Sequence, residues 1–387
     1  MRKEYIDFFE DVYKTMQDNY YKPVSREAFD QFIKDFDAKI YQQLKSEKKS
    51  DDYTRWRSAD FLVKRLKTKE DIFSAFYPPE PAKEYKQSAL GQRIDLGIEG
   101  ELTASGYRTT QVEPRSDAYE KGLRIADVLV QIDQQDVLSI TQEKIAELLN
   151  PLQGSTVKIA FLAAANQARH EIDVVSKEYF KQTVFAIPTK APGIYGLNIQ
   201  HFNRVTAEDI FRFMKFFKTQ GPIKGLILDL RGNPGGPPLA ARELASFFLP
   251  AGEEFAYFQK RQEEKAVLDV PALPKEYTYD GPMVILVNEK SGSASELFSG
   301  VMQKRGRAVL MGVNTAGQVM LKSMFPFDDK SMVLLITGRG YHPDGTVFSF
   351  SGIVPDRYFG PDEKKDIIDY ATLYLVYALQ KGSSQNK

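Results

Sequence analysis

Met283-Val-Ile-Leu-Val-Asn-Glu-Lys-Ser-Gly-Ser-Ala-Ser-Glu296 is the stretch on which the fold turns. Met283 to Val287 is an apolar run of strand length without alternation, the mark of a strand covered on both faces. Ser293-Ala-Ser-Glu296 then has the spacing of a capping box, in which a Ser caps a helix and a Glu reaches back. The same order occurs upstream. Gly225-Leu-Ile-Leu-Asp-Leu230 reads as a strand, Arg231-Gly-Asn-Pro-Gly-Gly236 as a turn, and a helix starts near Leu239. Apolar strands that feed helices predict a buried, partly parallel α/β sheet over residues 179–387, with a C-terminal helix. No internal repeat or low-complexity run stands out beyond the polar tail Lys381 to Lys387.

Working back toward the N-terminus, residues 86–178 are β-rich. Ile94–Glu99, Arg108–Val112, Asp127–Ile132 and Thr156–Phe161 read as strands, and Thr141–Leu149 as a helix, which predicts a small β-sandwich or barrel. Residues 1–85 are charged, aromatic and helix-patterned. Tyr5, Phe8, Phe9, Val12, Tyr13 and Met16 fall on one helical face, and Phe29, Phe32, Ile33 and Phe36 form a second such stretch. The run Pro78-Pro79-Glu80-Pro81 breaks the pattern between these regions. The fold class is therefore a multidomain α+β and α/β chain of three parts, 1–85, 86–178 and 179–387. The aromatic N-terminal helices also offer a homodimer surface.

Composition narrows the chemistry. The 387 residues carry 52 basic and 52 acidic side chains, so no charge surplus recommends nucleic acid as a partner. There is no Cys, which removes disulfides, thiol nucleophiles and thiolate metal sites. The 3 His, at 170, 201 and 342, argue against a multi-histidine metal centre. No apolar run approaches the roughly 18 residues that span a bilayer. Met1-Arg-Lys-Glu-Tyr5 lacks the apolar segment of a signal peptide. Hydroxyl, carboxylate, amine, guanidinium and phenol groups remain.

Two segments can carry such chemistry. The glycines of Leu230-Arg-Gly-Asn-Pro-Gly-Gly236 let backbone N–H groups converge at a helix start, an anion or oxyanion site. No Gly-Lys-Ser/Thr follows, so it is not a Walker loop. Taken alone, the segment is better accounted for as a plain tight strand-to-helix turn. Ser293 sits where a strand-to-helix turn holds a nucleophile out at the sheet edge. Its reading as a helix cap stands beside that one.

Taken together, Asp229-Leu-Arg-Gly-Asn-Pro-Gly-Gly236, Val287 to Glu296, Gly306-Arg-Ala308 and Gly312-Val-Asn-Thr-Ala-Gly317 resemble the carboxyl-terminal processing (tail-specific) serine proteases in order and spacing. Tyr341-His-Pro-Asp-Gly345 and Gly352-Ile-Val-Pro-Asp356 look like that family's closing motifs, and Gly122-Leu-Arg-Ile-Ala-Asp127 looks like its PDZ domain. The resemblance implies a helical N-terminal region, a PDZ domain and a protease core with a layered ClpP/crotonase-like sheet. It implies a Ser/Lys serine peptidase that cleaves proteins near their C-termini and needs no cofactor or metal. Its partners are proteins or peptides with free C-termini, and its location is periplasmic or otherwise exported. Ser293 is then the nucleophile. The oxyanion donors are the N–H groups of Ala294 and of Gly235 or Gly236. Leu96, Gly97 and Ile98 form the loop that binds a peptide carboxylate.

The chain departs from the family at the base. The family's Thr-x-Gly-Lys-Gly run reads Thr315-Ala-Gly-Gln-Val319 here, so Gln318 stands at the Lys position. Lys322 stands where the family keeps a Gln. On one extended strand the two share a face, about 13 Å apart. Three outcomes follow: a peptidase using Lys322, a catalytically silent homologue that binds peptides, or a hydrolase pairing Ser293 with His201 or His342. Lys304 stands where many members carry an acid, and Asp95 precedes the carboxylate loop where the usual residue is Gly.

Overall fold

All five side chains of the Met283–Val287 strand are buried, and they alternate between two cores. Met283, Ile285 and Val287 point into one cluster, Val284 and Leu286 into another. The computed structural model describes residues 3–46, 50–261, 264–360 and 366–385. In it this strand is central to a six-stranded sheet. The order is Val184–Ile187, Ile194–Ile199, Gly225–Asp229, Met283–Val287, Val309–Gly312 and Arg357–Tyr358. The first pair is antiparallel and every later pair parallel. Helices Thr206–Thr219, Pro238–Ala245 and Ala294–Lys304 cover the first face, and Ile367–Gln385 the second. A strand shared by two cores has no polar face to spare, which is why its sequence shows no alternation.

A second sheet is antiparallel. Met332–Tyr341 runs through its centre and pairs with Ala75–Tyr77, Glu254–Lys260 and Met320–Pro326. The helices Lys3–Asn19, Arg26–Asp35 and Asp51–Leu66 pack on this sheet, burying Phe9, Phe32 and Phe36 with Phe76, Val333 and Leu335. Edge-to-face contacts such as Phe9 to Phe36, 4.9 Å between centroids, fill that layer. The aromatic stripe expected to offer a homodimer surface is therefore consumed inside its own chain: Tyr5, Phe9, Val12, Tyr13 and Met16 are all buried.

Residues 92–180 hold a core of their own around Leu96, Leu129, Ile145 and Ile159. Its antiparallel sheet runs Ile98–Thr103, Gly106–Val112, Val128–Ile132, Thr156–Leu162 and Arg169–Val175. The helix Gln142–Leu149, capped by the Thr141 hydroxyl, packs on it. Polar contacts join this body to the central sheet: Arg115 to Asp209 at 2.7 Å, Gln182 N–H to Glu113 at 3.0 Å, and Asn203 to the Lys181 carbonyl at 2.9 Å.

Some expectations shift. Pro78-Pro79-Glu80-Pro81 does not separate regions but opens the helix Pro79–Leu90, because Pro is tolerated in a first turn whose N–H groups lack partners anyway. That helix runs across the boundary expected at 85/86. The boundary expected at 178/179 falls within the strand Lys177–Phe180, which pairs back to Gln92–Asp95. The stretch Ile94–Glu99 is two strands, split where Gly97 takes φ +75°. The polar tail continues the last helix as far as Gln385, while Asn386 and Lys387 lie outside the described residues. No described helix is long and apolar enough to cross a membrane.

Candidate active site

Ser293 is held at φ +53°, ψ −113°, a backbone region that L-residues rarely occupy. Such strain costs about 1–3 kcal/mol and persists only when the surroundings enforce it. The surroundings here are a hydrogen-bonded weld between the two strand-to-helix turns. Buried Asn233 donates to the Ile199 carbonyl and accepts the Gly235 N–H, each at 2.8 Å. Its own carbonyl accepts the Gly292 N–H at 3.0 Å and the Ser295 hydroxyl at 2.9 Å. Ser291 donates to the Leu230 carbonyl at 2.8 Å, and Asn288 accepts the Gly232 N–H at 2.9 Å. Below the glycine turn, Arg231 clasps Asp229 through two side-chain hydrogen bonds of 2.9 and 2.7 Å.

The glycines are required by contact. A Cβ on Gly235, at φ +106°, would lie 2.7 Å from the Ser293 Cβ and 2.8 Å from the Ala294 nitrogen. One on Gly236, at φ +145°, would lie 1.9 Å from the Phe202 carbonyl oxygen. The two sequence-expected oxyanion candidates now differ. The Gly235 N–H is spent on Asn233, whereas the Gly236 and Ala294 N–H groups carry no hydrogen bond among the described residues.

The capping box expected of Ser293 and Glu296 is present, and in it the Ser293 N–H donates to the Glu296 carboxylate at 2.9 Å. The carboxylate does more than cap. It lies fully buried and also accepts the Thr315 hydroxyl at 2.6 Å, the Gly317 N–H at 2.6 Å and the Gln318 N–H at 2.7 Å. The sequence motif shows a Glu at the cap position but carries no sign of this second set of partners.

Ser293, Lys322 and His201 line one cavity of about 430 Å³, walled mainly by apolar groups such as Leu90, Pro238, Met320 and Met324. Lys322 is half-buried there. Desolvation alone pushes its ammonium below the usual Lys range, and Nζ lies over the Phe73 ring, 4.6 Å from the centroid. Gln318 is not on the Lys322 strand. That strand begins at Met320, and a hydrogen bond of 2.9 Å from the Met320 N–H to the Gln318 carbonyl bends the chain between them. The extended-strand relation expected of the pair is thus replaced by a turn followed by a strand. The Gln318 side chain still faces the Ser293 turn, its Oε1 3.7 Å from where a Cβ on Gly292 would stand.

The histidines separate. His201 enters the cavity wall with Nε2 buried and unpartnered, and burial lowers its basicity. His342 stacks on Phe348 at 3.9 Å in the turn that closes the second sheet, and burial, then the Lys304 charge, lower its pKa to about 4. Lys304 is paired with Asp344 at 2.7 Å. The loop Leu96-Gly97-Ile98 is likewise engaged: the Leu96 N–H donates to the Leu149 carbonyl at 3.3 Å and the Gly97 N–H to Asp95 at 2.7 Å. Two of the three amides expected to hold a peptide carboxylate are taken. Among the described residues no group of three or more His, Asp or Glu side chains converges as metal ligands do.

Comparison with known proteins shows what the part of the chain that holds this geometry is similar to. Residues 194–359 match the model of peptidase family S41. The chain carries a peptidase family S41 domain. That domain contains every residue of the weld between the two turns, together with Gln318 and Lys322. The chain is 26% identical over 325 residues to a "Probable CtpA-like serine protease" of Staphylococcus epidermidis, covering 82% of this chain and 63% of that relative. It is 25% identical to the carboxy-terminal processing protease CtpA of Bacillus subtilis, covering 87% of this chain and 69% of that one. The chain thus spans less than two thirds of the length of its staphylococcal relative. Among solved structures, a photosystem II D1 C-terminal processing protease superposes with a TM-score of 0.53 at 20% identity over 97% of both chains, a likeness of fold.

Proposed function

We propose that the S41 domain is a serine peptidase acting on protein or peptide chains, with Ser293 as nucleophile and Lys322 as the amine that takes its proton. The observation that carries this reading is the shared apolar cavity, lined by both Ser293 and a desolvated Lys322 that has no carboxylate partner among the described residues. A Lys works as a base only when neutral, and desolvation moves it in that direction. The Ser293 oxygen would attack the scissile carbonyl, and its proton would pass to the Lys322 amine. The resulting oxyanion would sit on the free N–H groups of Ala294 and Gly236. Each such donor is worth about 100- to 1,000-fold in rate. The protonated Lys322 would then return the proton to the leaving amine, and water would release the acyl group by the same path. In this reading residues 86–178 act as a PDZ-type module that docks extended chain along the open edge of the Ile98–Thr103 strand.

One observation favours a second reading, a catalytically silent homologue that binds peptides. The side chain facing the Ser293 turn is the Gln318 amide, which accepts no proton near neutral pH. A fluorophosphonate probe and an unfolded protein substrate separate the two. The peptidase reading expects labelling and cleavage that disappear in Ser293→Ala and fall steeply in Lys322→Ala. Cleavage that survives Ser293→Ala removes the Ser mechanism. A wild type that is inert, and becomes active as Gln318→Lys, establishes the silent homologue.

A further inference from the structure

Asp95 is a buried carboxylate outside the active site, 5% exposed, at the end of the strand that leads into the Leu96–Gly97–Ile98 loop. Three donors hold it: the Gly97 N–H at 2.7 Å, the Tyr179 hydroxyl at 2.5 Å and Arg93 Nε at 2.9 Å. A buried ion is stable only when paired and hydrogen-bonded, and this one is both. Tyr179 registers its presence. Burial first, then the Asp95 charge, push that phenol far above its ordinary pKa.

A loop that captures a chain terminus does so by offering backbone N–H groups to the free carboxylate. Here the Gly97 N–H already serves a carboxylate supplied by the protein, and the Leu96 N–H serves the Leu149 carbonyl. A second carboxylate at this point would face Asp95 with one of the three amides left. Glu99, the next acidic group, stands on the Ile98–Thr103 strand and engages Lys181 at 3.3 Å and Arg93 at 4.0 Å. Among the described residues the Ile98–Thr103 strand pairs only with Gly106–Val112, which leaves its other edge open to strand addition.

We infer that Asp95 is a specificity-determining residue that fills the carboxylate position of the loop from within, so that the 86–178 body takes extended segments without selecting a free C-terminus. This rests on the PDZ-type reading of that body. An interior segment needs only the strand edge, which Asp95 leaves untouched, whereas a terminal carboxylate needs the amides that Asp95 and Leu149 occupy.

The test uses the full chain as Ser293→Ala, so that nothing is cleaved. The probe is a decapeptide library randomised at its last four positions, made once as free acids and once as C-terminal amides. Retention on the immobilised protein is read as the acid-to-amide ratio. The expected ratio is near one for Asp95, and it rises about tenfold in Asp95→Gly, the worth of one charge-assisted hydrogen bond. Asp95→Asn keeps an acceptor for the Gly97 N–H and is expected to stay near one. An Asn variant that gains as much as the Gly variant assigns the block to charge and overturns internal occupancy. A tenfold acid preference with Asp95 in place overturns the inference outright, and this arm stands even if the Gly variant does not fold. Retention of neither library by any form refutes the PDZ-type reading itself and the inference with it, a result distinct from retention with acid preference.

Discussion

The carboxylate of Glu296 accepts the backbone N–H of Gln318 at 2.7 Å, and through the same oxygen it accepts the Ser293 N–H at 2.9 Å. The Ser293 turn and the loop that carries Gln318 are thereby fixed to one buried charge. The loop's conformation, and with it the path into the Lys322 strand, depends on a residue that sequence pattern reads as a helix cap.

Glu296→Gln is expected to damage both stability and reactivity. Each carboxylate oxygen accepts two donors, and an amide turns its NH₂ group either against the Ser293 and Gln318 N–H groups or against the Gly317 N–H, where the Thr315 hydroxyl can rotate to accept. At least one backbone donor is left unmet, at a cost of about 1–3 kcal/mol. Denaturant unfolding reads the stability loss. Fluorophosphonate labelling of Ser293 in the folded fraction is expected to slow by about 100-fold, the cost of an ångström of misplacement. Unchanged unfolding would show that Glu296 does not hold the turn.

Gly235→Ala is expected to disable the site by contact alone. Its Cβ falls 2.7 Å from the Ser293 Cβ, a separation that real side chains do not adopt, and its φ of +106° is unfavourable to any L side chain. Gly252→Ala is the control, since Gly252 also has positive φ (+79°) but nothing within 4 Å of its Cβ position. Both variants pay a backbone cost of about 1–3 kcal/mol for a side chain at positive φ. Only Gly235→Ala is expected to lose Ser293 labelling, and equal loss in both would remove the contact argument.

Much of the central sheet was legible because its signal is local. Met283–Val287 and the helix from Ala294 follow from an apolar run and a turn pattern, and the structure returns them at those residues. What sequence could not show is the use made of single hydrogen-bonding groups. Nothing in Pro234-Gly-Gly236 says which N–H remains free; Asn233, folding back on Gly235, decides it. Pro79 misled for a related reason, since a proline that breaks a helix interior also starts a helix, and only the neighbouring fold distinguishes them. The aromatic N-terminal face was read correctly as a helix face, but its partner, the sheet strand Met332–Tyr341, lies more than 300 residues away in sequence.

Acid is expected to weaken the protein partly through His342. Its folded pKa of about 4 lies below the unfolded value of about 6.5, because the buried imidazole resists charge beside Lys304. The unfolded chain therefore binds more protons between pH 6.5 and 4, and stability falls as pH drops through that window. His342→Phe keeps a ring against Phe348 and removes the titration. The difference in Tm between pH 7 and pH 4.5 is expected to shrink in this variant. An unchanged difference would assign the acid sensitivity to other groups.

Lys322 is expected to trade stability for reactivity, with opposite signs in one variant. Burial lowers its pKa, so the folded protein holds that proton less tightly than the unfolded chain does. The cost of the buried cation is full below the folded pKa and vanishes as pH rises past the unfolded value of about 10.4. Lys322→Met replaces the amine by an apolar group of similar length in a cavity already walled by Met320 and Met324. Its Tm is therefore expected to exceed that of the wild type at pH 7, with the gap closing toward pH 10. Ser293 labelling in the wild type is expected to increase with pH as Lys322 loses its proton, and to become slow and free of that limb in Lys322→Met. A Met variant that is less stable at pH 7 contradicts the desolvation argument. One that is labelled at the wild-type rate shows that Lys322 is not the base, and it leaves His201 as the remaining basic group in the cavity wall.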